Sequence, residues 1–321
     1  FFPKPLLVKK GKKIERIEAD ITLSVFFVQC NAELEMYELQ SSSLISKIHD
    51  VKKDSVTTFV MDHDYASNMH RLCYCSKKKL QIVHYTDSDH FKQPNELHAI
   101  PENLNIGQLE WFGNSIIAGF KREYSIIDLT KKTPANNNNN DDVSNMTTIL
   151  DCPQGSHQPY ITLMGEDVIL RFNNNVGIFV NIINKDASQK NPLAWPNPPI
   201  QLTVCFPFLI ALMQNDKSSA SAGSAAGPHF EIYDVYDQML VQSETLKPTT
   251  PSSVILSFGN SKRGTFLING TRLHILTPMN YTKRINSLIK SKRFQDAFEL
   301  FDKAYEGGDD DRELNLQKLN V

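Results

Sequence analysis

The sequence predicts a mainly β protein: a β-propeller, expected to have seven blades, followed by the start of an α-solenoid. Two observations support this prediction. A β-hairpin pattern returns six times along most of the chain, and fixed-period repetition of one unit is typical of propellers. After Pro278 the hydrophobic period changes to that of amphipathic helices.

The clearest hairpin lies within residues 109–129. Its two halves, 115–120 and 124–129, are short apolar runs rich in β-branched and aromatic residues, separated by Lys121 and Arg122. Because both runs are almost continuously apolar, we expect two adjacent antiparallel strands whose faces are both covered.

Five further strand pairs follow the same pattern. They are residues 21–28 with 34–39, 71–76 with 80–85, 168–172 with 176–183, 204–213 with 230–235, and 264–268 with 272–276. Single strands are predicted at 56–61, 161–164, 239–243 and 249–258, and residues 1–8 are a candidate incoming strand. Residues 41–55 are predicted to be a polar connector. The Asn-rich segment 131–146 and the Ala/Ser/Gly segment 217–228 are predicted to be loops, since neither can bury apolar surface.

The hairpins recur at a mean interval of about 49 residues, close to the roughly 40–50 residues of a four-stranded propeller blade. We count six recognisable blades and expect a seventh, so the first blade would be missing or incomplete in this chain. The alternative β architecture is two stacked sandwiches, for which turns should come roughly every 8–12 residues without the longer interval.

The helical pattern begins at Tyr281. Ile285, Leu288 and Ile289 form one apolar stripe. A second stripe consists of Phe294, Ala297, Phe298, Phe301 and Ala304, at the spacing of one helix face. The sequence therefore predicts two domains: a propeller over residues 1–278, and the first helical hairpin of an α-solenoid over 279–321.

Composition is typical of a globular protein, with 40% hydrophobic residues and a formal net charge of -2. Nothing in this balance indicates a nucleic-acid surface. Five cysteines occur at positions 30, 73, 75, 152 and 205, all in or near apolar runs. We interpret them as buried free thiols rather than as a disulfide framework.

Motifs for catalysis or cofactor binding are absent from the sequence, so we predict no catalytic, cofactor-binding or metal-binding residues. Cys73, Cys75, His84 and His90 come nearest to a metal site, but a C-x-C spacing is not the usual zinc pattern and core packing is favoured. Asp128 and Asp234 follow apolar strands as catalytic carboxylates can, but the more common role of such residues is in turns.

Charged and aromatic residues supply the candidates for partner binding. Lys77, Lys78 and Lys79 form a basic turn that could face a partner, although a solvated hairpin tip explains the same residues. A second basic cluster lies on the helical tail and has the same two interpretations: Lys283, Arg284, Lys290, Lys292 and Arg293. Trp111 and Trp195 could be interface anchors or packing residues between blades.

A family resemblance follows from three segments, residues 72–97, 111–129 and 230–246, which resemble the citron-homology (CNH) domain. The helical segment 285–300 is similar to the start of the solenoid that follows this domain in the CNH-domain subunits of the HOPS and CORVET membrane-tethering complexes. The order of these segments, a CNH-like part followed by a helical part, is the specific feature of the resemblance. It separates this chain from CNH-bearing kinases, which carry the domain at their C-terminus.

The resemblance implies a non-enzymatic scaffold subunit of a HOPS-like endosomal or vacuolar tethering complex. Such a subunit would bind a Rab-family GTPase and other tethering subunits, and would promote membrane fusion and vesicle traffic. It would be cytoplasmic and attached peripherally, through partners, to late endosomes, vacuoles or lysosomes. No cofactor and no nucleic acid are expected. The alternative is a signalling adaptor of the TGF-β-receptor-associated type. A third hypothesis, a hydrolase at the propeller channel, would require His, Asp or Glu to converge near the axis, and the sequence shows no such regular positions.

Overall fold

The chain is mainly β and divides into two compact units. The structure, a computed structural model, describes residues 14–49, 55–64, 69–76, 79–86, 91, 96–100, 105–131, 145–152, 158–205, 208–213, 229–235, 238–245, 256–261, 264–269, 272–276, 281–290, 292, 294, 295, 297, 298, 300 and 301. Unit 1 comprises residues 1–202 and 213–221, and unit 2 comprises residues 203–212 and 222–321.

Unit 1 contains four antiparallel sheets that follow one another in chain order. Sheet 1 is β1 (Ile14–Asp20), β2 (Val25–Cys30), β3 (Glu33–Glu38) and β4 (Leu44–His49). Sheet 2 is β5 (Val56–Asp64), β6 (Met69–Ser76), β7 (Lys79–His84) and β8 (Glu96–Ala99). Sheet 3 is β9 (Ile106–Phe112), β10 (Ser115–Phe120), β11 (Glu123–Asp128) and β12 (Met146–Asp151). Sheet 4 is β13 (Ile161–Met164), β14 (Asp167–Asn173), β15 (Val176–Asn181), β16 (Asp186–Ala187) and β17 (Leu193–Ala194).

The residues that follow form two further sheets and a helix. Sheet 5 is β18 (Pro199–Cys205), β19 (Phe208–Met213), β20 (His229–Asp234) and β21 (Leu240–Thr245). Sheet 6 is β22 (Leu256–Ser261), β23 (Gly264–Asn269) and β24 (Arg272–Leu276). Helix α1 spans Tyr281–Lys290. Most of sheet 5 belongs to unit 2, as do sheet 6 and α1.

The cores of unit 1 lie between successive sheets. Val25, Phe27 and Leu34 of sheet 1 pack with residues of sheet 2. The opposite face of sheet 2 shares a second core with sheet 3, and sheet 3 shares a third core with sheet 4. Each middle sheet is therefore covered on both faces, which explains its near-continuous apolar strands. Successive antiparallel sheets of four or five strands packed in this way form a β-propeller-like arrangement.

The predicted hairpins are confirmed in sheets 1, 2, 3, 4 and 6. The hairpin around residues 115–129 is the pair β10–β11, in which Ser115 faces Asp128 and Gly119 faces Tyr124. Tight turns match the local sequence: Asn31 and Ala32, with φ of 49° and 67°, connect β2 to β3. Two consecutive residues of positive φ fit the twist of a two-residue hairpin turn.

Three sequence predictions about strand limits are wrong. Residues 204–213 are two strands rather than one, since β18 ends at Cys205 and β19 begins at Phe208. Strand β2 begins at Val25 rather than at residue 21, because an Asp20 carboxylate oxygen accepts the Leu23 N–H at 3.1 Å and holds a turn. Residues 41–55 are not all connector, since β4 occupies the middle of that segment as an edge strand.

Other differences between the predicted and the observed strands lie next to residues that the structure does not describe. Strand β1, which the sequence did not predict, has charged residues and exposed isoleucines in place of an apolar run. The predicted loop 131–146 ends at Met146, where β12 starts. The described part of the predicted strand 249–258 belongs to β22, whereas residues 1–8, 132–144 and 214–228 lie outside the described residues. Seven blades and an α-solenoid remain predictions.

In sheet 3, the backbone approaches its neighbours closely at Gly119. A Cβ added there would lie 2.7 Å from Pro159 Cβ and 3.2 Å from Tyr124 Cε1. Only glycine fits this spacing without displacing a proline that precedes the first strand of sheet 4. By contrast, Gly113 has φ of +57° and no atom within 4 Å of an added Cβ.

Gly119→Ala is expected to destabilise the protein by about 1–3 kcal/mol, because the new methyl group overpacks the contact between sheets 3 and 4. Urea unfolding followed by tryptophan fluorescence measures the change. Gly113→Asn is the matched control, since asparagine tolerates positive φ, and it should change stability by under about 1 kcal/mol. Equal losses in the two variants would contradict the packing account.

Candidate functional site

The first strands of the four sheets of unit 1 contact one another in chain order and bring polar side chains together. Strand β5 contacts both β1 and β9, and β9 also contacts β13. We use the name first-strand cluster for the five polar residues on or beside these strands: Arg16, Glu18, Gln108, Glu110 and Tyr160.

Glu18 joins sheet 1 to sheet 2. One carboxylate oxygen accepts the backbone N–H of Met61 at 2.8 Å, and the other accepts Arg16 Nε at 2.7 Å. The Arg16 guanidinium also lies over the Phe59 ring, 5.5 Å from its centre. Burial raises the pKa of Glu18, and the neighbouring Arg16 and the Met61 N–H oppose that shift.

Glu110, on β9, interacts electrostatically with the same ion pair. Burial raises its pKa from 4.5 to about 7; the Glu18 carboxylate adds to the rise and Arg16 opposes it. Two carboxyl groups that share an enclosed space disfavour each other's ionised form. Glu110 therefore exchanges its proton near neutral pH, which ordinary surface carboxylates do not do.

Side chains of sheet 3 form hydrogen bonds with the backbone of sheet 4. The Gln108 amide donates to Ile161 O and accepts Ile161 N–H, both at 3.0 Å. The Tyr124 hydroxyl donates to Arg171 O at 2.8 Å and accepts the Tyr160 N–H at 2.9 Å. Burial is the largest cause that raises the pKa of both tyrosine hydroxyls, so each remains a donor. These bonds fix the first strand of sheet 4 against sheet 3.

A buried arginine completes the same region. Arg171 is 7% exposed and donates to Gln158 O at 3.4 Å and to Pro199 O, while its guanidinium lies 5.2 Å from the centre of the Tyr160 ring. Its Nε has no hydrogen-bond partner among the described residues. Burial lowers the pKa of this group. Arg171 thus acts as a donor that holds two backbone carbonyls together.

The first-strand cluster can hold a proton and can orient backbone groups. It contains two carboxyl groups with raised pKa values. Sequence reasoning missed Glu18 and Glu110 because each sits in an ordinary mixed strand, and the two approach only through sheet packing. Across the described part of the chain, no group of three or more His, Cys, Asp or Glu could hold a metal ion.

The basic turn named as a candidate for partner binding is described only at its end. Lys79 is exposed and begins β7, where it pairs with Ser76 of β6. Lys77 and Lys78 lie outside the described residues. Their role in partner binding remains a prediction.

The cysteine group packs in the core between sheets 2 and 3. Cys73 and Cys75 are both buried there. Burial, with a contribution from Cys75, raises the pKa of Cys73 well above its usual value. A thiol held in its protonated form is neither a good ligand nor a good nucleophile. His84 lies on β7, and His90 is outside the described residues.

The remaining candidates have structural partners. Asp128 accepts the Thr130 N–H at 3.0 Å and so forms the turn expected of it. Asp234 lies 3.5 Å from Arg284. Trp111 donates to Val60 O at 3.3 Å, and both tryptophans are buried, which favours packing over interface anchoring. Among the described helices, none is long and apolar enough to cross a membrane.

The fold and the first-strand cluster define a β-propeller-like protein whose sheets are joined by side chains. A family model described as the CNH domain matches residues 11–216, more than half of the chain. The chain belongs to the CNH domain family, as its sequence segments indicated.

Curated relatives extend this result over most of the chain. The human Vam6/Vps39-like protein is 21% identical over 302 residues, which cover 90% of this chain and 29% of that protein. The mouse Vam6/Vps39-like protein is 20% identical over the same shares. The chain therefore spans about 29% of the length of these relatives.

Solved structures share the fold. The AfRom2 CNH domain has a TM-score of 0.52 at 16% identity, covering 83% of this chain and 81% of that chain. Kluyveromyces lactis Hsv2 has a TM-score of 0.52 at 14% identity, with 84% and 76% covered. BBS1N, solved in complex with ARL6DN, has a TM-score of 0.52 at 11% identity, with 78% and 73% covered.

Glu110→Gln is expected to change how stability depends on pH. Because the folded protein holds a proton on Glu110 between pH 4.5 and about 7 while the unfolded chain does not, the free energy of unfolding falls as pH rises through this window. Removing the charge should stabilise the protein by about 3 kcal/mol near pH 8, since burial raises the pKa of Glu110 from 4.5 to about 7, and by under about 1 kcal/mol near pH 5.

Urea unfolding at several pH values measures this effect. Glu166→Gln is the matched control, since Glu166 is an exposed turn residue, and it should leave the profile unchanged. If the free energy of unfolding depended on pH in the same way in Glu110→Gln and in the wild type, the raised pKa of Glu110 would be contradicted.

Proposed function

We propose that the chain is part of a non-enzymatic scaffold subunit of a HOPS-like membrane-tethering complex. The observation that carries the proposal is the similarity to the Vam6/Vps39-like proteins over 90% of the chain, combined with membership of the CNH domain family. A rigid β unit followed by helices suits a scaffold, since such a protein needs broad fixed surfaces rather than a pocket.

In this proposal the chain works by binding alone. It recognises a membrane-bound Rab-family GTPase and also contacts other tethering subunits, so that two membranes are held close before fusion. Attachment to late endosomal, vacuolar or lysosomal membranes is peripheral and depends on these partners. The helical tail after Pro278 begins an α-solenoid that leads toward the rest of the complex.

The first-strand cluster fits a structural role in this proposal. Glu18 is bonded to Arg16 and to the backbone of Met61, and Gln108 is bonded to the backbone of Ile161. These polar groups are used to join sheets. They hold the turns at the sheet ends in fixed positions, as a docking surface requires.

Binding to a panel of Rab-family GTPases, each loaded with GTP or GDP, tests the proposal. We expect one member to bind at least about tenfold more tightly in its GTP form, because a tether must respond to the active membrane-bound state. The same panel should include the cytoplasmic tail of a TGF-β-type receptor. Binding to that tail but to no GTPase would favour the adaptor function over tethering. Equal affinity for every GTPase in both nucleotide states, or binding to none, would contradict direct Rab recognition.

The basic turn provides a variant for this experiment. The triple change Lys77→Glu, Lys78→Glu and Lys79→Glu should weaken binding if the turn faces the GTPase, with salt reducing the wild-type affinity in parallel. Lys121→Glu with Arg122→Glu, at the corresponding turn of sheet 3, is the matched control. Equal affinities for the wild type and the triple variant would remove the turn from the interface.

A further inference from the structure

Arg171 carries a positive charge into the interior of unit 1 without a carboxylate to balance it. The residue is 7% exposed, and it forms no ion pair with any residue that the structure describes. Two of its nitrogen atoms donate to the backbone oxygens of Gln158 and Pro199, which are neutral acceptors. A buried cation normally has an anionic partner, because moving an unpaired charge out of water is costly. Nothing in the described part of the chain supplies that partner.

Two buried N–H groups in the same region have no acceptor among the described residues. They are Nε of Arg171 and Nε1 of Trp195, and Trp195 is 3% exposed. Native structures usually satisfy such donors with protein, water or an ion, since an unmet buried donor lowers stability. Trp111, the other tryptophan of the chain, differs in this respect because its indole N–H donates to Val60 O at 3.3 Å.

The two unmet donors belong to side chains on one face of sheet 4. Arg171 faces Gly177 in the register of β14 and β15, so the two positions share a face of the sheet. The Trp195 indole fills the space over Gly177, since a Cβ added there would lie 2.5 Å from Trp195 Cη2. The Tyr160 ring lies on the other side, with its centre 5.2 Å from the guanidinium carbon. Arg171 is thus placed between two aromatic side chains.

These groups define the chemistry of a ligand. Arginine and tryptophan N–H groups can only donate, so the ligand must accept hydrogen bonds. The uncompensated guanidinium charge favours an anion over a neutral acceptor, because opposite charges attract more strongly where water is excluded. One positive charge is balanced by one negative charge, and the burial of both donors restricts the ligand to a small ion. Chloride has these properties.

We propose that Arg171 Nε and Trp195 Nε1 bind a small monovalent anion of the chloride type on this face of sheet 4. The anion balances the Arg171 charge and leaves the other guanidinium donors on Gln158 O and Pro199 O. Because Gln158 precedes the first strand of sheet 4 and Pro199 begins sheet 5, binding stabilises the link between these sheets. This inference is independent of tethering and of Rab recognition.

Thermal unfolding of the full 321-residue chain in sodium chloride and in sodium gluconate, at equal ionic strength, tests the proposal. At a chloride concentration about ten times the dissociation constant, the midpoint should lie about 3–6 °C higher in chloride than in gluconate. Trp195→Phe should reduce this difference by at least about half, because it removes one donor and keeps the ring. Trp111→Phe is the matched control and should leave the difference intact, since Trp111 already has an acceptor.

The comparison is made between two salts within each variant, so a general loss of stability in Trp195→Phe does not affect it. Chlorine-35 NMR gives a second measurement: the wild type should broaden the chloride signal, and both Arg171→Lys and Trp195→Phe should reduce the broadening. Equal midpoints in the two salts, with no broadening, would assign the donors to ordered water and overturn the proposal. A chloride effect of equal size in the wild type and Trp195→Phe would place the anion elsewhere and also overturn it.

Discussion

The structure of unit 1 depends on side chains that join one sheet to the next. Each sheet completes its own antiparallel ladder, so the backbone of one sheet has no ladder partner in its neighbour. The connection comes from the apolar cores that successive sheets share and from polar groups. Among these groups are Gln108, whose amide both donates to and accepts from Ile161, and Glu18, which accepts the Met61 N–H. A buried N–H that loses such a partner costs about 1–3 kcal/mol. The shared cores and these polar contacts together therefore determine whether the sheets behave as one body.

Much of the fold could be predicted because its information is local. The runs around Ile117 and Ile126 are apolar on both faces, and a two-residue turn connects them, so strand, pairing and register follow from nearby residues. Strand β1 could not be predicted from its own residues, since it is exposed and charged along most of its length. The early start assigned to β2 has a similar cause: Asp20 ends one strand and holds a turn, which hydrophobicity does not reveal.

The candidate site was harder to predict than the fold. Glu18 and Glu110 belong to different sheets, and neither lies in a motif, so only the packing of β1 and β9 along β5 shows that they interact. By contrast, the cysteines at 73 and 75 could be assigned to the core from their strand, and the structure places both there. Family membership adds what geometry alone does not, since residues 11–216 match the CNH domain.

Native-state hydrogen exchange in increasing concentrations of urea tests the coupling of the sheets most directly. If the side-chain contacts make unit 1 one cooperative body, protected amides of β6, β10 and β14 should converge on one opening free energy as urea rises. Gln108→Leu should lower that common value in all three strands together. Separate openings for the three sheets, or a loss confined to β14, would contradict the account.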